Sequence, residues 1–152
     1  MSLVGKLEAD VEIKTPAEKF YNLLKSQNHH IPNASSDKVH SIEVHEGDWE
    51  TSGSVKLWKY TAEGNLEVFK ERVEADKENK TVSFTAVEGH VLDLYKKYKV
   101  NFKVTPKTSG EGGLVKITVE YEKKNDSIPD PNKYLQFAIH VVQDIDAHLI
   151  KA

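Results

Sequence analysis

Apolar and polar residues alternate along most of this chain with a period of two, the pattern of strands in a sheet that buries one face. One such strand is predicted at the N-terminus, over Leu3–Ile13. Six more are predicted over Val39–His45, Ser54–Thr61, Leu66–Ala75, Thr81–Val87, a long strand that follows Glu88-Gly89 and ends near Pro106, and Leu114–Glu122. Hairpin-length turns join them, so we expect an antiparallel meander.

Two short helical pieces are predicted between the first two strands. Thr15 is the expected N-cap of the first piece, with Pro16 at its first position and Glu18 completing a capping box. The second piece, helical or irregular, is expected within residues 25–36 and broken near Ile31-Pro32, because a residue before proline disfavours helical backbone.

A longer helix closes the chain. It is predicted over Asn132–Ile150, with Asp130 as its N-cap and Pro131 at its first position. Apolar side chains recur there at helical spacing and form one stripe, made of Tyr134, Ala138, Val141, Val142, Ile145 and Leu149. The predicted fold class is therefore α+β, a curved seven-stranded antiparallel sheet with a long C-terminal helix against its concave face.

Strand alternation also predicts which side chains face that helix. On four strands the inward sets are Phe69, Glu71 and Val73; Val82, Phe84 and Ala86; Tyr98, Val100, Phe102 and Val104; and Val115, Ile117, Val119 and Tyr121. Glu71 is then a carboxylate on an otherwise apolar face. The strand Ser54–Thr61 stays ambiguous, because Trp58 and Tyr60 lie opposite two aliphatic residues.

A single helix stripe cannot fill the concavity of so long a sheet. The remaining space is either packed by large side chains or left open as a cavity. The inward set is rich in aromatic residues with polar tips, and buried tyrosine and tryptophan need hydrogen-bond partners. A mostly apolar concavity with a few polar groups is typical of a small-molecule site. The pattern leaves both alternatives, an open cavity and a solid core, equally open.

The composition narrows the class of protein. The chain has 152 residues, of which 38% are apolar and 30% are charged. This length suits one domain over 1–152, and this composition suits a sheet with one solvent-exposed face. A net charge of -3 argues against the basic face that nucleic-acid binding needs. No apolar run approaches the roughly 20 residues that cross a bilayer, and the first ten residues do not resemble a signal peptide. We therefore expect a soluble, cytoplasmic monomer that neither binds nucleic acid nor inserts into a membrane.

Metal and nucleophile chemistry find little support in the sequence. The chain has no cysteine, which excludes disulfides, thiolate metal sites and a thiol nucleophile. Its seven histidines include no pair at the helical i, i+4 spacing of a zinc site, and it has no Gly-x-Ser-x-Gly motif. We predict no metal, no cofactor and no catalytic set.

Glu71 is the strongest candidate for chemistry. A buried, unpaired carboxyl has a raised pKa and can act as a general acid or base. The alternative is a structural partner for this side chain: a tyrosine hydroxyl, a lysine such as Lys56, or water inside the cavity. Perturbed carboxylates mark functional sites only statistically, so both interpretations stand.

Several short motifs are distributed along the whole chain. Two of them are His45-Glu46-Gly47-Asp48-Trp49 with Gly53-Ser54-Val55-Lys56-Leu57-Trp58, and Lys70-Glu71-Arg72-Val73. Others are Gly5-Lys6-Leu7-Glu8, Glu120-Tyr121-Glu122-Lys123, Ile128-Pro129-Asp130-Pro131 and Asp144-Ile145-Asp146-Ala147-His148-Leu149. The first group, with the order of the elements, resembles the plant birch-pollen-allergen superfamily, and the second group resembles its major latex protein branch.

The resemblance implies a START-like helix-grip fold, with seven antiparallel strands around a long C-terminal helix and two short helices between the first two strands. It also implies binding of hydrophobic ligands such as sterols, lipids or other plant metabolites, in association with defence or stress responses. It turns Trp58, Tyr60 and Glu71 toward the cavity. The site residues expected on this basis are Trp58, Tyr60, Phe69, Glu71, Val82, Phe84, Tyr98, Val100, Phe102 and Tyr121 on the sheet, and Phe137, Ala138, Val141 and Ile145 on the helix.

Two departures from the patterns of the superfamily bear on function. The position where an alkaloid-forming branch carries a catalytic lysine holds Thr118. The loop 88–92, where a hormone-receptor branch has its gate, lacks the proline of that gate. We therefore predict a binder or carrier of a small hydrophobic ligand, without enzymatic activity. The alternatives are an isomerase or cyclase with Glu71 as acid or base, and a protein-interaction module, which would need an exposed apolar patch.

Overall fold

The computed structural model of the protein describes residues 3–109 and 111–151. Within them lie seven strands, β1 (Val4–Ile13), β2 (Val39–Glu46), β3 (Ser54–Ala62), β4 (Asn65–Asp76), β5 (Thr81–Gly89), β6 (Tyr95–Pro106) and β7 (Gly113–Lys123). The helical segments are α1 (Ala17–Ser26), a 3-10 turn (Asn28–His30), α2 (Ile31–Ala34), α3 (Val91–Leu94) and α4 (Asn132–Lys151). Every strand predicted from the alternation is present, with ends that differ by a few residues.

All seven strands form one antiparallel sheet in the order β1-β7-β6-β5-β4-β3-β2. Strands β2 to β7 follow one another as a meander, and β1 pairs with β7 from Val4 opposite Glu122 to Ile13 opposite Gly113. α4 lies against β1, β7 and β3, while α1 contacts β4, β5 and β6. The predicted helix-grip class, a seven-stranded antiparallel sheet around a long C-terminal helix, is thereby confirmed.

Burial follows the predicted alternation. On β7 the buried side chains are Val115, Ile117, Val119 and Tyr121, and the side chains between them are more exposed. On β3, whose face the pattern left ambiguous, Trp58 and Tyr60 are buried on the inner face, as the resemblance implied. Lys56 is buried on the same face and is only 1% exposed. The core therefore lies between this face and the apolar stripe of α4, all of which is buried.

The chain between β5 and β6 differs from the single long strand predicted after Glu88-Gly89. Gly89 has a φ of +127°, and a Cβ there would lie 2.4 Å from the carbonyl oxygen of Val68. Only glycine fits this close approach. The chain then forms the one-turn helix α3, which carries Val91 into the core, and β6 begins at Tyr95.

The start of α1 also differs from the prediction, in which Thr15 caps the helix and Glu18 completes a capping box. Pro16 is the N-cap residue, and no side chain caps this end of the helix. The Thr15 hydroxyl donates to Asp146 Oδ1 on α4 at 2.6 Å, and its N–H donates to the same oxygen at 2.9 Å. Such charge-assisted bonds are roughly twice as strong as neutral ones, so Thr15 joins the loop to α4 instead.

The second short piece, expected to be helical or irregular, is helical and is divided next to Ile31-Pro32, where the break was expected. A 3-10 turn over Asn28–His30 precedes α2, which begins at Ile31. Pro32 therefore lies in the first turn of α2, where its missing N–H costs no helical hydrogen bond.

The cap of α4 is shifted by one residue from the prediction. The N–H of Leu135 donates to the Pro131 carbonyl at 3.2 Å, so Pro131 flanks the helix rather than starting it. Asp130, the predicted cap, accepts from Lys123 Nζ at 2.7 Å and from the Tyr121 hydroxyl at 3.0 Å. Its carboxylate thus joins β7 to the loop before α4, because an ammonium is a stronger partner than a backbone N–H.

Candidate ligand-binding site

A cavity lies between the concave face of the sheet and α4. Its empty space is about 660 Å³ when the mouth is included, and the centres of water molecules can occupy about 70 Å³ of it. That is room for several water molecules in this conformation. Among the described residues that line it, Glu71 alone carries a carboxyl group, and the others are aliphatic or aromatic. The space beside the helix is thus left partly open rather than packed solid.

The structure brings most of the predicted site residues together at this cavity. The ones that line it are Trp58, Tyr60, Phe69, Glu71, Phe84, Tyr98, Val100 and Phe102 on the sheet, and Phe137, Ala138, Val141 and Ile145 on α4. Their aromatic rings contact one another: Trp58 and Phe84 meet edge to face at 6.0 Å, and Phe69 and Tyr98 at 5.8 Å. The role of these residues in ligand binding stays a prediction.

Two predicted site residues, Val82 and Tyr121, lie on the inner face of the sheet but outside the cavity lining. Val82 is completely buried at the start of β5, next to the Asp76–Thr81 hairpin. Tyr121 lies near the end of β7, where its ring meets that of Tyr95 edge to face at 5.8 Å. Alternation predicts the face that a side chain occupies, but it does not predict where along a strand the cavity begins and ends.

Five lining residues were not predicted: Leu24, Ile31, Val91, Tyr134 and Val142. Tyr134 and Val142 belong to the apolar stripe of α4, so helical periodicity pointed to them. Leu24, Ile31 and Val91 come from the short helices α1, α2 and α3. α2 and α3 have four residues each, too few for periodicity to reveal an inner face. The apolar side of the ten-residue α1 is recognisable, but it does not show that Leu24 reaches the cavity.

Glu71 sits on β4 with 1% of its surface exposed. The indole Nε1 of Trp58, on the neighbouring strand, donates to Glu71 Oε1. The other carboxyl oxygen, Oε2, is buried and has no hydrogen-bond partner among the described residues. The structural partner of Glu71 is therefore an indole, rather than the tyrosine or lysine that the sequence suggested.

Lys56 lies directly opposite Glu71 in the β3–β4 ladder, but its ammonium points elsewhere. Lys56 Nζ donates to Asn28 Oδ1 at 3.0 Å and to the Trp49 carbonyl at 3.3 Å. It also lies 4.9 Å from the centre of the Trp49 ring, within range of a cation–π interaction. The buried ammonium is thus held by neutral groups.

Burial is the largest cause of the pKa shifts at and beside the cavity wall. It raises the pKa of the Glu71 carboxyl well above its usual range, and the Trp58 hydrogen bond and the Lys56 charge only partly oppose it. Burial lowers the pKa of the Lys56 ammonium, against the opposing effects of Glu71 and Asp48. The pKa of Tyr98, also raised by burial, is raised further by the charges around it. These pKa shifts favour the neutral forms of Glu71, Tyr98 and Lys56.

A second polar cluster, which we call the Glu67 cluster, consists of Glu67, Tyr60, Tyr134 and Lys133. The hydroxyls of Tyr60 and Tyr134 donate to Glu67 Oε1 at 3.1 and 2.6 Å. Lys133 Nζ donates to Glu67 Oε2 at 3.1 Å. Glu67 was not singled out from the sequence, although it shares the alternation of Phe69 and Glu71. The cluster joins the start of α4 to the β3–β4 hairpin at the edge of the cavity.

The remaining chemistry-bearing residues assemble no metal centre in the part of the chain that the structure describes. No group of three or more histidine, aspartate or glutamate side chains there is placed to hold a metal ion. His29 stacks against His30 and Trp49, with ring centres 4.2 and 4.6 Å away. None of the described helices is both long and apolar enough to cross a membrane.

The sequence and the fold of this chain are similar to those of known proteins. Residues 2–152 match the model of the pathogenesis-related protein Bet v 1 family. The chain is 41% identical over 150 residues to MLP-like protein 43 of Arabidopsis thaliana, a match that covers 98% of this chain and 95% of the relative. It is 42% identical to MLP-like protein 34 of the same plant, of which it spans 48%. The crystal structure of ginseng major latex-like protein 151 from Panax ginseng superimposes with a TM-score of 0.90, at 38% identity over 96% of this chain and 97% of that one.

Proposed function

Because this chain belongs to the pathogenesis-related protein Bet v 1 family, in its major latex protein branch, we propose that it binds and carries a small hydrophobic ligand. The ligand occupies the cavity between the sheet and α4. The observation that supports this most strongly is the cavity wall, whose described residues are almost wholly apolar and aromatic and include one carboxyl group, that of Glu71. A concave apolar site with a few polar groups is the usual form of a small-molecule site.

The energy available to such a ligand follows from the surface that it buries. About 300 Å² of apolar surface, at about 25 cal/mol per Å², contributes about 7.5 kcal/mol, which corresponds to a micromolar dissociation constant. Loss of translational and rotational freedom offsets part of this. Apolar contact distinguishes related ligands poorly, so we expect broad selectivity.

A ligand of drug size needs more room than the about 70 Å³ that water centres can occupy here, since such sites usually measure about 300–1,000 Å³. Phe137 on α4 is only partly buried, and its ring lies 5.0 Å from that of Tyr60. We therefore expect Phe137 to be displaced when a ligand enters. That expectation fits a carrier, which has to release its ligand again.

The test is to fill the cavity and measure binding of an apolar fluorescent probe, 1-anilinonaphthalene-8-sulfonate. Ala138 lines the cavity on α4, so Ala138→Phe places a ring in the space of the ligand and should weaken binding at least tenfold. Ala147 lies on the exposed side of the same helix, and Ala147→Phe is the matched control that should bind as the wild type does. Unchanged affinity in a folded Ala138→Phe protein would contradict the proposal.

A second candidate function is an isomerase or cyclase acting on the bound metabolite. One observation favours it, namely the buried Glu71 carboxyl at the cavity wall, which has a raised pKa and an oxygen that no described residue bonds. Loss of turnover with retained ligand affinity in Glu71→Gln would support this function. Equal turnover by the wild type and the variant would remove Glu71 from it.

The cellular part of the proposal is a cytoplasmic monomer that acts in defence or stress responses. It rests on the family and on the nearly balanced charge of the chain. Light scattering measures the oligomeric state, and transcript and protein levels after wounding or infection measure the response. Levels that do not change under stress would argue against this role.

A further inference from the structure

The chain between β5 and α3 is held to β4 by a reciprocal pair of hydrogen bonds, which we call the His90 clasp. The N–H of His90 donates to the Val68 carbonyl at 3.2 Å. The N–H of Val68 donates to Nδ1 of the His90 ring at 3.0 Å. The clasp follows the last pair of the β4–β5 ladder, Phe69 opposite Gly89, so a ring nitrogen takes the place that a carbonyl oxygen has in a sheet.

The clasp fixes the position of the first turn of α3. Gly89 lets the two backbones approach, because a Cβ at this position would overlap the Val68 carbonyl oxygen. His90 is the N-cap residue of α3, and its carbonyl accepts from the N–H of Asp93 at 3.0 Å. The next residue, Val91, is 1% exposed and lines the cavity. The clasp therefore holds a part of the cavity wall in place.

The bond from Val68 determines the protonation state of the His90 ring. A backbone N–H only donates, so Nδ1 accepts and carries no proton. The imidazole is therefore neutral, with its proton on Nε2. In a protonated ring both nitrogens are donors, and the hydrogen on Nδ1 would point at the hydrogen of Val68. The clasp and the protonated ring thus exclude each other.

A proton can reach this ring from solvent, because His90 is exposed. Histidine side chains generally gain a proton as the pH falls from about 8 to about 5. A hydrogen bond to the neutral form of a group disfavours its charged form. The solvent proton and the Val68 N–H therefore compete for Nδ1 over this range of pH.

Ionisable groups of both signs lie on the segments around His90. They are Lys59 on β3, Glu67 and Lys70 on β4, Glu88 on β5, Asp93 on α3, Tyr95 and Lys96 on β6, and Lys124 after β7. Lys70 lies 4.0 Å from Glu88, and Glu67 accepts from Lys133. Carboxylates favour a protonated ring and lysines disfavour it, so these charges offset one another and leave the Nδ1 bond as the main control.

We propose that the His90 clasp is a pH-sensitive fastener: it holds α3 against β4 while the ring is neutral, and protonation of the ring releases the first turn of α3 and opens the cavity wall at Val91. The inference goes beyond the proposed function, because it concerns how the wall opens rather than what the cavity binds. The far end of α3 stays attached, since the Leu94 carbonyl accepts from the N–H of Lys124 at 3.0 Å. Release is therefore confined to the start of the helix.

Amide hydrogen exchange tests the release, with rates expressed as protection factors so that the intrinsic pH dependence of exchange is removed. The protection factor of the Val68 amide should fall about tenfold from pH 8 to pH 5, the effect of about one lost hydrogen bond. In His90→Asn the asparagine Oδ1 can accept the Val68 bond and cannot be protonated, so protection should be the same at both values of pH. His140→Asn, at an exposed position of α4, is the matched control and should show the fall of the wild type.

The comparison with His90→Asn isolates one ring, because Glu71 and the other histidines are common to both proteins. An equal fall of Val68 protection in the wild type and in His90→Asn would overturn the inference. The ¹⁵N chemical shifts of the His90 ring give a second measurement that needs no variant. They should show a bare Nδ1 and a protonated Nε2 at pH 8, and a proton on Nδ1 at that pH would also overturn the inference.

Acrylamide quenching of tryptophan fluorescence tests the opening of the wall. Trp58 lines the cavity and is 9% exposed, and acrylamide is a neutral quencher. The quenching constant should rise roughly twofold from pH 8 to pH 5 in the wild type and in His140→Asn, and it should stay constant in His90→Asn. A constant value in the wild type would contradict the opening. None of these measurements uses a ligand, so failure of the clasp and failure of the carrier function are separate results.

Discussion

Glu67 and Glu71 lie four residues apart on β4, on the same face, and both are almost fully buried. Glu67 has three partners, the hydroxyls of Tyr60 and Tyr134 and the ammonium of Lys133. Glu71 has one, the indole of Trp58, and its Oε2 has no partner among the described residues. The two carboxyls thus share a strand and a face, but they differ in how many of their oxygens are hydrogen-bonded. A carboxyl whose oxygens are both hydrogen-bonded stabilises the fold, whereas a carboxyl with an unbonded oxygen can bind a ligand.

The origin of the partners explains the difference. Glu67 receives bonds from β3 and from α4, so it connects two elements that are distant in sequence. Glu71 receives its bond from the adjacent strand β3 alone. We therefore expect substitutions of Glu67 to affect the docking of α4, and substitutions of Glu71 to affect the cavity.

Glu67→Ala should have the largest effect on stability. It leaves two buried hydroxyls and a half-buried ammonium without their acceptor, which should lower the free energy of unfolding by about 3 kcal/mol. Urea denaturation measures the loss. Glu74→Ala, at an exposed position of β4, is the control and should stay within about 0.5 kcal/mol of the wild type. A loss below about 1 kcal/mol for Glu67→Ala would remove the distinction between the two carboxyls.

Glu71→Gln should change the pH dependence of stability. Burial raises the pKa of Glu71 in the folded protein above the unfolded value near 4.5, so the folded state holds this proton at a pH where the unfolded state releases it. The wild type therefore loses stability relative to Glu71→Gln as the pH rises from about 4.5 toward the folded pKa. The slope cannot exceed about 1.4 kcal/mol per pH unit for one proton.

Denaturation of both proteins at several values between pH 4.5 and 7 measures this divergence. Lys56, the nearest cation, stays protonated in the unfolded state over this range, and its burial is common to both proteins. Parallel stability curves would show that the folded protein does not hold the Glu71 proton. Glu71 and Glu67 would then differ only in their hydrogen-bond partners.

A pair of tyrosine variants gives the smallest expected effect. The rings of Tyr134 and Tyr98 meet at 5.8 Å, and both line the cavity. Tyr134→Phe removes a bond to Glu67 and should cost about 1 kcal/mol. Tyr98→Phe removes a hydroxyl without a described partner and should be nearly neutral, within about 0.5 kcal/mol. Thermal unfolding of the two variants compares them, and equal losses would mean that the Tyr98 hydroxyl is bonded.

Much of the fold could be predicted because strand and helix periodicity are local properties. Successive strand residues point to opposite sides whatever the rest of the chain does, so Phe69, Glu71 and Val73 could be placed on the inner face. The apolar stripe of α4 follows from helical geometry in the same way. The β3 face was ambiguous because its alternation supports both sides, and the resemblance resolved Trp58 and Tyr60.

The two capping predictions that were wrong share a physical cause. Thr15 was expected to cap α1, but it bonds Asp146, which lies 131 residues away. Asp130 was expected to cap α4, but it bonds Lys123 across a loop. In each case a local capping pattern competed with a charge-assisted bond that exists only after folding.

The sequence by itself determined the order of the elements, the face of most side chains and the presence of a carboxylate at Glu71 on the inner wall. These depend on local periodicity and on residue identity. Only the tertiary structure decided which residues line the cavity, that both carboxyl oxygens of Glu67 are hydrogen-bonded, and that Glu71 Oε2 has no partner in the part of the chain that the structure describes. Hydrogen-bond partners and the limits of the cavity depend on how β3, β4 and α4 pack together, and the periodicity of the sequence does not predict that packing.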